Sequence, residues 1–325
     1  MPPPEPPRGL TRPRRDGGPP ARDGVSPSRL AVPPGPWATV AEFLAARLRP
    51  GIDWRERLAQ GDVVDVWGTP LPPDAPCVPG QVLWYWRHLP AEPRVPFELA
   101  LLHRDEHLVV VDKPHFLASI PGGRHLQETA LVRLRRLLGN DELTALHRLD
   151  RDTAGLLMFS ADPATRDAYH ALVRAQGLRK VYEAVAPWRA DLPPSFTASH
   201  RLHEPRGARH LPVQVVAGEA NAHVQVTLLR RLGPVGGVAL AHYRLEPLTG
   251  RRHQLRVQMN ALGCPIVGDR MYPRFWPEPL ADAEPDFTQP LQLLARELAF
   301  TDPVTGAARR FVSARQLALA PADRP

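Results

Sequence analysis

Residues 146–159 read Leu-His-Arg-Leu-Asp-Arg-Asp-Thr-Ala-Gly-Leu-Leu-Met-Phe, a charged loop that runs directly into an apolar segment. The segment from Gly155 to Phe159 carries no charge, so it predicts a buried strand. The charged residues before it are then held against the core, where catalytic residues are often found. Composition alone favours a second interpretation, in which the Arg and Asp side chains form ion pairs that only pin the loop.

Two further segments place polar residues beside apolar ones. Residues 180–185 read Lys-Val-Tyr-Glu-Ala-Val, and strand alternation puts Tyr182 on the face opposite its valines. An isolated tyrosine in such a strand is typical of an ordinary core or surface residue. Residues 249–256 read Thr-Gly-Arg-Arg-His-Gln-Leu-Arg, a glycine turn that leads into a cationic helix start. This pattern predicts an anion site, or alternatively a basic solvated helix face. Arg256 lies beside the apolar stripe and can border a cleft.

The surrounding pattern predicts an α+β fold with a largely antiparallel mixed sheet. Strands outnumber helices, and the regular helical crossovers of a doubly wound fold are missing from the pattern. Strands are predicted at 108–111, 155–159, 181–186, 222–231 and 238–247. Helices are predicted at 129–138, from Asp162 and Pro163 to Gly177, and at 253–262.

The N-terminal third divides into a tail, a small module and a linker. Residues 1–36 are rich in Pro, Gly and Arg and predict a disordered tail. Residues 37–90 predict two short capped helices followed by a hairpin with a Pro79-Gly80 turn. This order resembles an S4-type RNA-binding module, with an ordinary small α+β extension as the alternative. Residues 91–97 read as a linker.

Composition narrows the class of partner and compartment. The formal net charge of +7 suits a polyanion, nucleic acid first. Cys77 and Cys264 are the only cysteines, too few for a disulfide framework, which favours a reducing cytoplasmic location. No run approaches the roughly 18 apolar residues of a membrane span, so no membrane partner is expected. Only two positions, Lys113 and Lys180, carry lysine; every other cation is Arg.

Taken in order, the motifs of residues 98 to about 313 closely resemble those of the RluA-type pseudouridine synthases. Both lysines fall inside these motifs. Three departures concern the fit of the substrate rather than the reaction: Ala154 replaces a Ser, Gln258 a His, and His115-Phe116 an Ala-Gly pair. The motifs are Glu-His-Leu-Val-Val-Val-Asp-Lys-Pro at 106–114, Pro-Gly-Gly at 121–123, His-Arg-Leu-Asp at 147–150, Lys-Val-Tyr at 180–182, the basic run at 250–256, and Gly-Cys-Pro-Ile-Val-Gly-Asp at 263–269.

The resemblance implies a catalytic domain at 98–318 that isomerises specific uridines in structured ribosomal or transfer RNA as a monomer, without a cofactor or metal. Asp150 is then the catalytic carboxylate, either as a nucleophile at ribose C1′ or as a base that yields a glycal. Arg256 pairs with it, and Tyr182 stacks on the base, with help in deprotonating C5 as a second role that the resemblance leaves open. Arg148 enters the space that the flipped uridine leaves. The residues expected to bind RNA are Arg148, His147, Arg151, Lys180, Arg251, Arg252 and His253.

Other functions fit the sequence less well. The main rival is an RNA-binding or ribosome-assembly protein that kept the fold without turnover. A zinc site from His200, His203 and His210 lacks cysteine and helical spacing. A glycosidase needs a carboxylate pair, which Asp150 and Asp152 could supply, but the basic chain suits RNA better than polysaccharide. A kinase catalytic loop would lack its glycine-rich phosphate loop.

Overall fold

The computed structural model describes residues 18–48, 50–87, 92–205, 211–274 and 286–320. Its described residues separate into two compact units. The first contains the residues up to Glu92, with 122–127 and 135–141. The second contains Pro93–Pro121, Glu128–Leu134 and the residues from Glu142 onward. Among the described residues, no helix has the length and apolarity needed to cross a bilayer.

Two short helices and a three-stranded antiparallel sheet form the first unit. Both predicted caps are present: the Thr39 side chain accepts from the Glu42 backbone N–H, and Asp53 accepts from that of Glu56 at 3.0 Å. Phe43 and Leu83 are fully buried in its core. The elements are β1 (Ser28–Ala31), α1 (Val40–Arg47), α2 (Trp54–Ala59), β2 (Val63–Val64) and β3 (Val82–Tyr85), in the sheet order β1-β3-β2.

Two details of this unit differ from the sequence prediction. The tail predicted to be disordered over 1–36 contains β1, because alternation at 28–31 turns Leu30 toward the core beside β3; residues 1–17 lie outside the described residues. The first strand of the predicted hairpin is short and ends at Val64, because the Asp65 carboxylate accepts the N–H groups of Trp67 and Thr69 and closes a turn. The S4-like character of the module stays a prediction.

One large sheet of eleven strands dominates the second unit. The remaining elements are β4 (Ala100–Arg104), β5 (Leu108–Lys113), α3 (Ala130–Leu138), β6 (Thr144–Ala145), β7 (Ala154–Ser160), α4 (Arg166–Arg174), β8 (Arg179–Pro187), β9 (Ser195–His203), β10 (Gln214–Val216), β11 (Ala222–Val235), β12 (Val238–Pro247), α5 (Gln254–Ala261), β13 (Leu293–Thr301) and β14 (Ala308–Val312). The strand order in the sheet is β10-β9-β11-β12-β8-β13-β7-β5-β4, with β14 on β13 and β6 on β7. Of the strand pairs in the described residues, only β13–β7 is parallel. The predicted α+β class with a largely antiparallel mixed sheet is therefore confirmed.

Helix α4 begins later than the sequence suggested. Asp162 was expected to cap it, but its carboxylate accepts the Ala164 N–H at 2.8 Å and closes a turn instead. The helix starts at Arg166. Residue Asp162 therefore shapes the connection after β7 rather than the helix end.

Gly155 lets β7 pass directly beside β13. Its φ of +109° lies in a region that favours glycine, and a Cβ placed there would lie 2.3 Å from the carbonyl oxygen of Ala295. We expect Gly155→Ala to lower the free energy of unfolding by at least about 2 kcal/mol, since both backbone strain and the clash must be accommodated. Urea unfolding measures this loss. Gly139→Ala, where φ is +60° but no atom lies within 4 Å, separates backbone strain from the clash; equal losses in both variants would contradict the close packing described.

Candidate active site

The loop that joins β6 to β7, residues 146–153, is fixed through its backbone by three side chains. The buried Ser119 hydroxyl donates to the Leu149 carbonyl at 2.7 Å and accepts the Leu149 N–H at 3.0 Å. His115 Nδ1 donates to the Asp152 carbonyl at 2.7 Å. Lys113 Nζ donates to the Arg151 carbonyl at 3.0 Å. The backbone on both sides of Asp150 is therefore held in place, which orients the carboxylate without using its oxygens.

Lys113, one of the two lysines of the chain, is fully buried at the end of β5. Its ammonium also donates to the carbonyls of Pro114 and Leu117, at 3.0 and 2.7 Å. Burial lowers the pKa of Lys113 to about 7, although the nearby carboxylates of Asp152 and Asp150 act in the opposite direction. The lysine thus holds the loop through its bond to the Arg151 carbonyl and is not available to bind a phosphate.

The depressed pKa of Lys113 gives a prediction for stability against pH. An unfolded lysine titrates near about 10.4, so between about pH 7 and about pH 10 the unfolded chain binds more protons than the folded protein. The stability contribution is complete above this window and is lost as the pH falls toward 7. We expect the unfolding free energy of the native protein to rise relative to that of Lys113→Met from about pH 7 to about pH 9, because the variant lacks this titration. Denaturant unfolding at several pH values measures it, and a constant difference would be inconsistent with the burial of a titrating amine.

Asp150 belongs to a buried carboxylate–guanidinium–carboxylate chain. Arg256, on the first turn of α5, donates from Nη1 to Asp150 Oδ2 at 2.9 Å. The same guanidinium makes two bonds of 2.7 Å to Asp269, from Nε and Nη2. The side chains of Arg256 and Asp269 are 6% and 0% exposed, whereas that of Asp150 is 29% exposed. Asp269 therefore orients Arg256, and Arg256 in turn orients the partly exposed carboxylate of Asp150.

The charges around Asp150 keep it ionised. Burial would raise the pKa of Asp150, but His253 (where it carries a proton, in acid), Arg256 and Lys113 outweigh burial and lower it below its ordinary value. Burial also works against the Arg256 guanidinium, whose pKa is nevertheless raised by Asp269 and Asp150. At neutral pH the pair is charged on both sides.

His253 lies on the other side of the Asp150 carboxylate. It precedes α5 with a left-handed φ of +52°, which directs its ring inward. Its Nε2 is 3.8 Å from Asp150 Oδ1, and its Nδ1 is 3.4 Å from the Tyr272 hydroxyl. Tyr272 in turn donates to the Val213 carbonyl at 3.1 Å. The imidazole is thus held between a carboxylate and a tyrosine rather than directed at solvent.

Tyr182 is half-buried on β8, between β12 and β13. Burial, and then the charge of Asp150, raises the pKa of Tyr182 far above its ordinary value, so the side chain is a neutral phenol at physiological pH. In the described part of the chain its hydroxyl makes no hydrogen bond. Asp150 therefore lies close enough to influence the pKa of this phenol.

The expected RNA-binding residues divide into exposed and internal ones. Arg148 is exposed and, within the described ranges, forms no hydrogen bond or ion pair. His147 is internal: Nε2 accepts the Met158 N–H at 3.3 Å, and burial followed by Lys180 lowers the pKa of His147 to about 3. Burial also lowers the pKa of Lys180. A neutral acceptor such as His147 fixes the loop on β7 and is a poor phosphate ligand.

The other predicted cations are engaged by protein groups. Arg151 donates to Asp152 at 3.0 Å, and Arg251 donates to the Asn221 carbonyl at 2.6 Å. Arg252 pairs with Glu204 at 2.9 Å. The basic run before α5 is therefore partly committed to holding the turn.

An aromatic cluster occupies the place of the family's small pair after Lys-Pro. Phe116 has a left-handed φ of +67°, where glycine is normally favoured. Its ring stacks on Phe97 at 6.1 Å and packs edge-on against Phe287 at 5.3 Å. These contacts offset the backbone cost, so the departure noted in the sequence has a packing explanation.

Sequence reasoning missed three residues of the site. Asp269 was visible only as the last residue of a motif, and Tyr272 and Ser119 carried no signal. Buried polar side chains such as Asp269 must be paired, but a sequence does not say with what. Arg256 and its second carboxylate partner, Asp269, are brought together by the fold, and the sequence does not show this pairing.

No group of three His, Cys, Asp or Glu side chains suited to a metal ion occurs among the described residues. Of the histidines considered for zinc, His200 Nδ1 lies 3.3 Å from the Gln258 amide nitrogen, and His203 follows three positions later on β9, on its opposite face. His210 lies outside the described residues.

Comparison with known proteins identifies the family of the chain. The sequence profile of the RNA pseudouridylate synthase family matches residues 107–261. An uncharacterised RNA pseudouridine synthase of Synechocystis is 34% identical over 219 residues, 67% of this chain and 73% of that protein. The dual-specificity RNA pseudouridine synthase RluA of Pasteurella multocida is 32% identical over 64% of this chain and 89% of its own length.

The fold agrees as well. The human RNA pseudouridylate synthase domain containing 1 protein superposes with a TM-score of 0.54 at 22% identity, covering 69% of this chain and 86% of that one. The chain belongs to the RluA-type family of RNA pseudouridine synthases and is an RNA-modifying enzyme.

Proposed function

We propose that this enzyme isomerises uridine in ribosomal or transfer RNA, with Asp150 as the essential carboxylate. The observation that carries the proposal is the Asp150–Arg256–Asp269 chain, in which only Asp150 reaches solvent. A carboxylate that acts at the ribose must be ionised, oriented and accessible, and the lowered pKa of Asp150 supplies the first condition.

Isomerisation breaks the bond between uracil N1 and ribose C1′ and forms one between C5 and C1′. The C5 proton leaves and N1 gains a proton, so the reaction needs no electron carrier. Asp150 acts at the ribose, as a nucleophile toward C1′ or as a base that gives a glycal. Both roles require the same position of the carboxylate beside the sugar.

Tyr182 and Arg148 fit complementary roles. Because the pKa of Tyr182 is raised, its ring remains an uncharged phenol, which suits stacking on a flipped uracil more than accepting the C5 proton. The exposed Arg148, two residues before Asp150, has a planar guanidinium that can take the space left in the RNA stack. Arg251, Arg252 and Lys180 would contact phosphates by exchanging or extending their present partners.

The substrate class is supported by the relatives. The P. multocida relative is named a dual-specificity RNA pseudouridine synthase, and a relative in Pseudomonas aeruginosa, 30% identical over 225 residues, is named ribosomal large subunit pseudouridine synthase D. The S4-like module proposed at 37–90 favours ribosomal RNA, because such modules bind structured RNA. We propose the same division into domains as the sequence indicates, with an S4-like module at 37–90 and the catalytic domain at 98–318.

The test is tritium release from RNA transcripts labelled at uridine C5. The purified enzyme is incubated with ribosomal RNA and with transfer RNA, and the modified positions are then mapped. We expect release from at least one class, at a small number of defined uridines. Binding of both RNAs without any release would overturn the proposal in favour of an RNA-binding protein without turnover.

A further inference from the structure

The two oxygens of the Asp150 carboxylate have different surroundings. Oδ2 accepts a bond of 2.9 Å from Arg256. Oδ1 accepts no hydrogen bond from the described residues, and His253 Nε2 lies 3.8 Å from it. This distance exceeds a hydrogen bond, so Oδ1 is the oxygen left for the substrate.

His253 is held where it can change that situation. Its backbone has a left-handed φ of +52°, and its Nδ1 faces the Tyr272 hydroxyl, which is itself tied to the Val213 carbonyl. The ring of Tyr272 packs nearly perpendicular to it, at 82°. The imidazole is 11% exposed, and its Nε2 lies 3.8 Å from Oδ1.

Resting on the proposed role of Asp150, we propose that His253 is a positioning residue that acts through this carboxylate. As a neutral imidazole it leaves Oδ1 open to the ribose, and as an imidazolium it closes on Oδ1 and stops the reaction. A charge-assisted N–H···O bond is shorter and stronger than a neutral contact, so protonation is enough to close a gap of 3.8 Å.

The groups that face His253 determine the pH at which this occurs. Burial lowers the pKa of His253, and the guanidinium groups of Arg256 and Arg252 lower it further. Asp150 and Asp269 raise it, but burial prevails. Tyr272, whose own pKa burial raises to about 12, stays neutral throughout. The pKa of His253 therefore lies below its ordinary value, so the imidazole is neutral at physiological pH and gains its proton only in acid, while the lowered pKa of Asp150 keeps the carboxylate ionised.

The first experiment is the pH profile of single-turnover tritium release at saturating enzyme. We expect the native rate to fall by about tenfold per pH unit once the pH drops below the point at which His253 takes its proton. His253→Gln, which cannot take a proton, should lose this acid limb and keep a nearly constant rate over the same range. His200→Gln is the matched control, because burial also lowers the pKa of His200 but it lies beside Gln258. An unchanged acid limb in His253→Gln overturns the inference.

A second experiment does not depend on turnover. Nitrogen-15 labelling of histidine gives the titration of His253 by NMR, with His253→Gln assigning its signal. Asp150 raises the pKa of His253 in the native protein, so Asp150→Asn should shift the titration to lower pH. An unmoved titration contradicts the coupling. If the native enzyme releases no tritium while the titration moves, the proposed function fails and the coupling stands.

Discussion

Arg256→Gln is expected to lower both stability and turnover. The side chain of Asp269 is 0% exposed, so removal of the guanidinium leaves a buried carboxylate whose remaining partners, among the described residues, are the N–H groups of Met271 and Tyr272. Breaking a buried ion pair from one side costs about 3–5 kcal/mol. Asp150 loses its orienting partner at the same time, so turnover should fall by about 10²-fold or more. Urea unfolding and tritium release measure the two losses.

Arg252→Gln is the matched control for stability. It removes an arginine from the same segment, but the pair of Arg252 with Glu204 is partly exposed, at 24% and 52%. We expect a change of less than about 1 kcal/mol. Similar stability losses in the two variants would mean that Asp269 does not depend on Arg256.

The elements predicted correctly are those whose apolar pattern is strong. β7 contains the uncharged run 155–159 from which it was predicted. β12 lies at 238–247, the residues predicted for it. β13 was not predicted, because Leu-Leu-Ala-Arg-Glu-Leu-Ala is rich in helix-forming residues. Its strand conformation comes from its place between β8 and β7, where Arg296 pairs with Glu183. Tertiary context outweighs local preference there.

The candidate site divides in the same way. The sequence motifs named Asp150, Arg256 and Tyr182, and the fold brings the first two within hydrogen-bonding distance. The contacts that hold the loop could not be predicted from the sequence. Ser119 lies thirty residues before its partner Leu149, and its local sequence does not distinguish it from other loop serines. The sequence analysis placed His253 among the residues expected to bind RNA. Its position beside Asp150 depends on a left-handed backbone conformation that the sequence does not predict.

Asp150→Asn should abolish turnover while RNA binding persists. Asparagine has nearly the same shape and can still meet Arg256, but it is neither a nucleophile nor a base at the ribose. The loop is held by backbone bonds from Ser119, Lys113 and His115, so its path does not depend on the carboxylate. We expect the rate of pseudouridine formation to fall by at least about 10³-fold.

Asp152→Asn is the matched control, since it removes a carboxylate two positions away in the same loop. Its side chain pairs with Arg151, and the carbonyl that accepts from His115 is unaffected by the change. Its rate should stay within about tenfold of the native rate, because the Asp152 carboxylate pairs with Arg151 and not with the Arg256 guanidinium that orients Asp150. A loss equal to that of Asp150→Asn would indicate a site that needs both carboxylates.

The most direct test of the essential role of Asp150 is single-turnover tritium release from RNA labelled at uridine C5, measured side by side for the native enzyme, Asp150→Asn and Asp152→Asn, with RNA binding followed in the same samples. The account predicts bound RNA in all three samples and no release from Asp150→Asn alone. Full release by a folded, RNA-bound Asp150→Asn enzyme would contradict it.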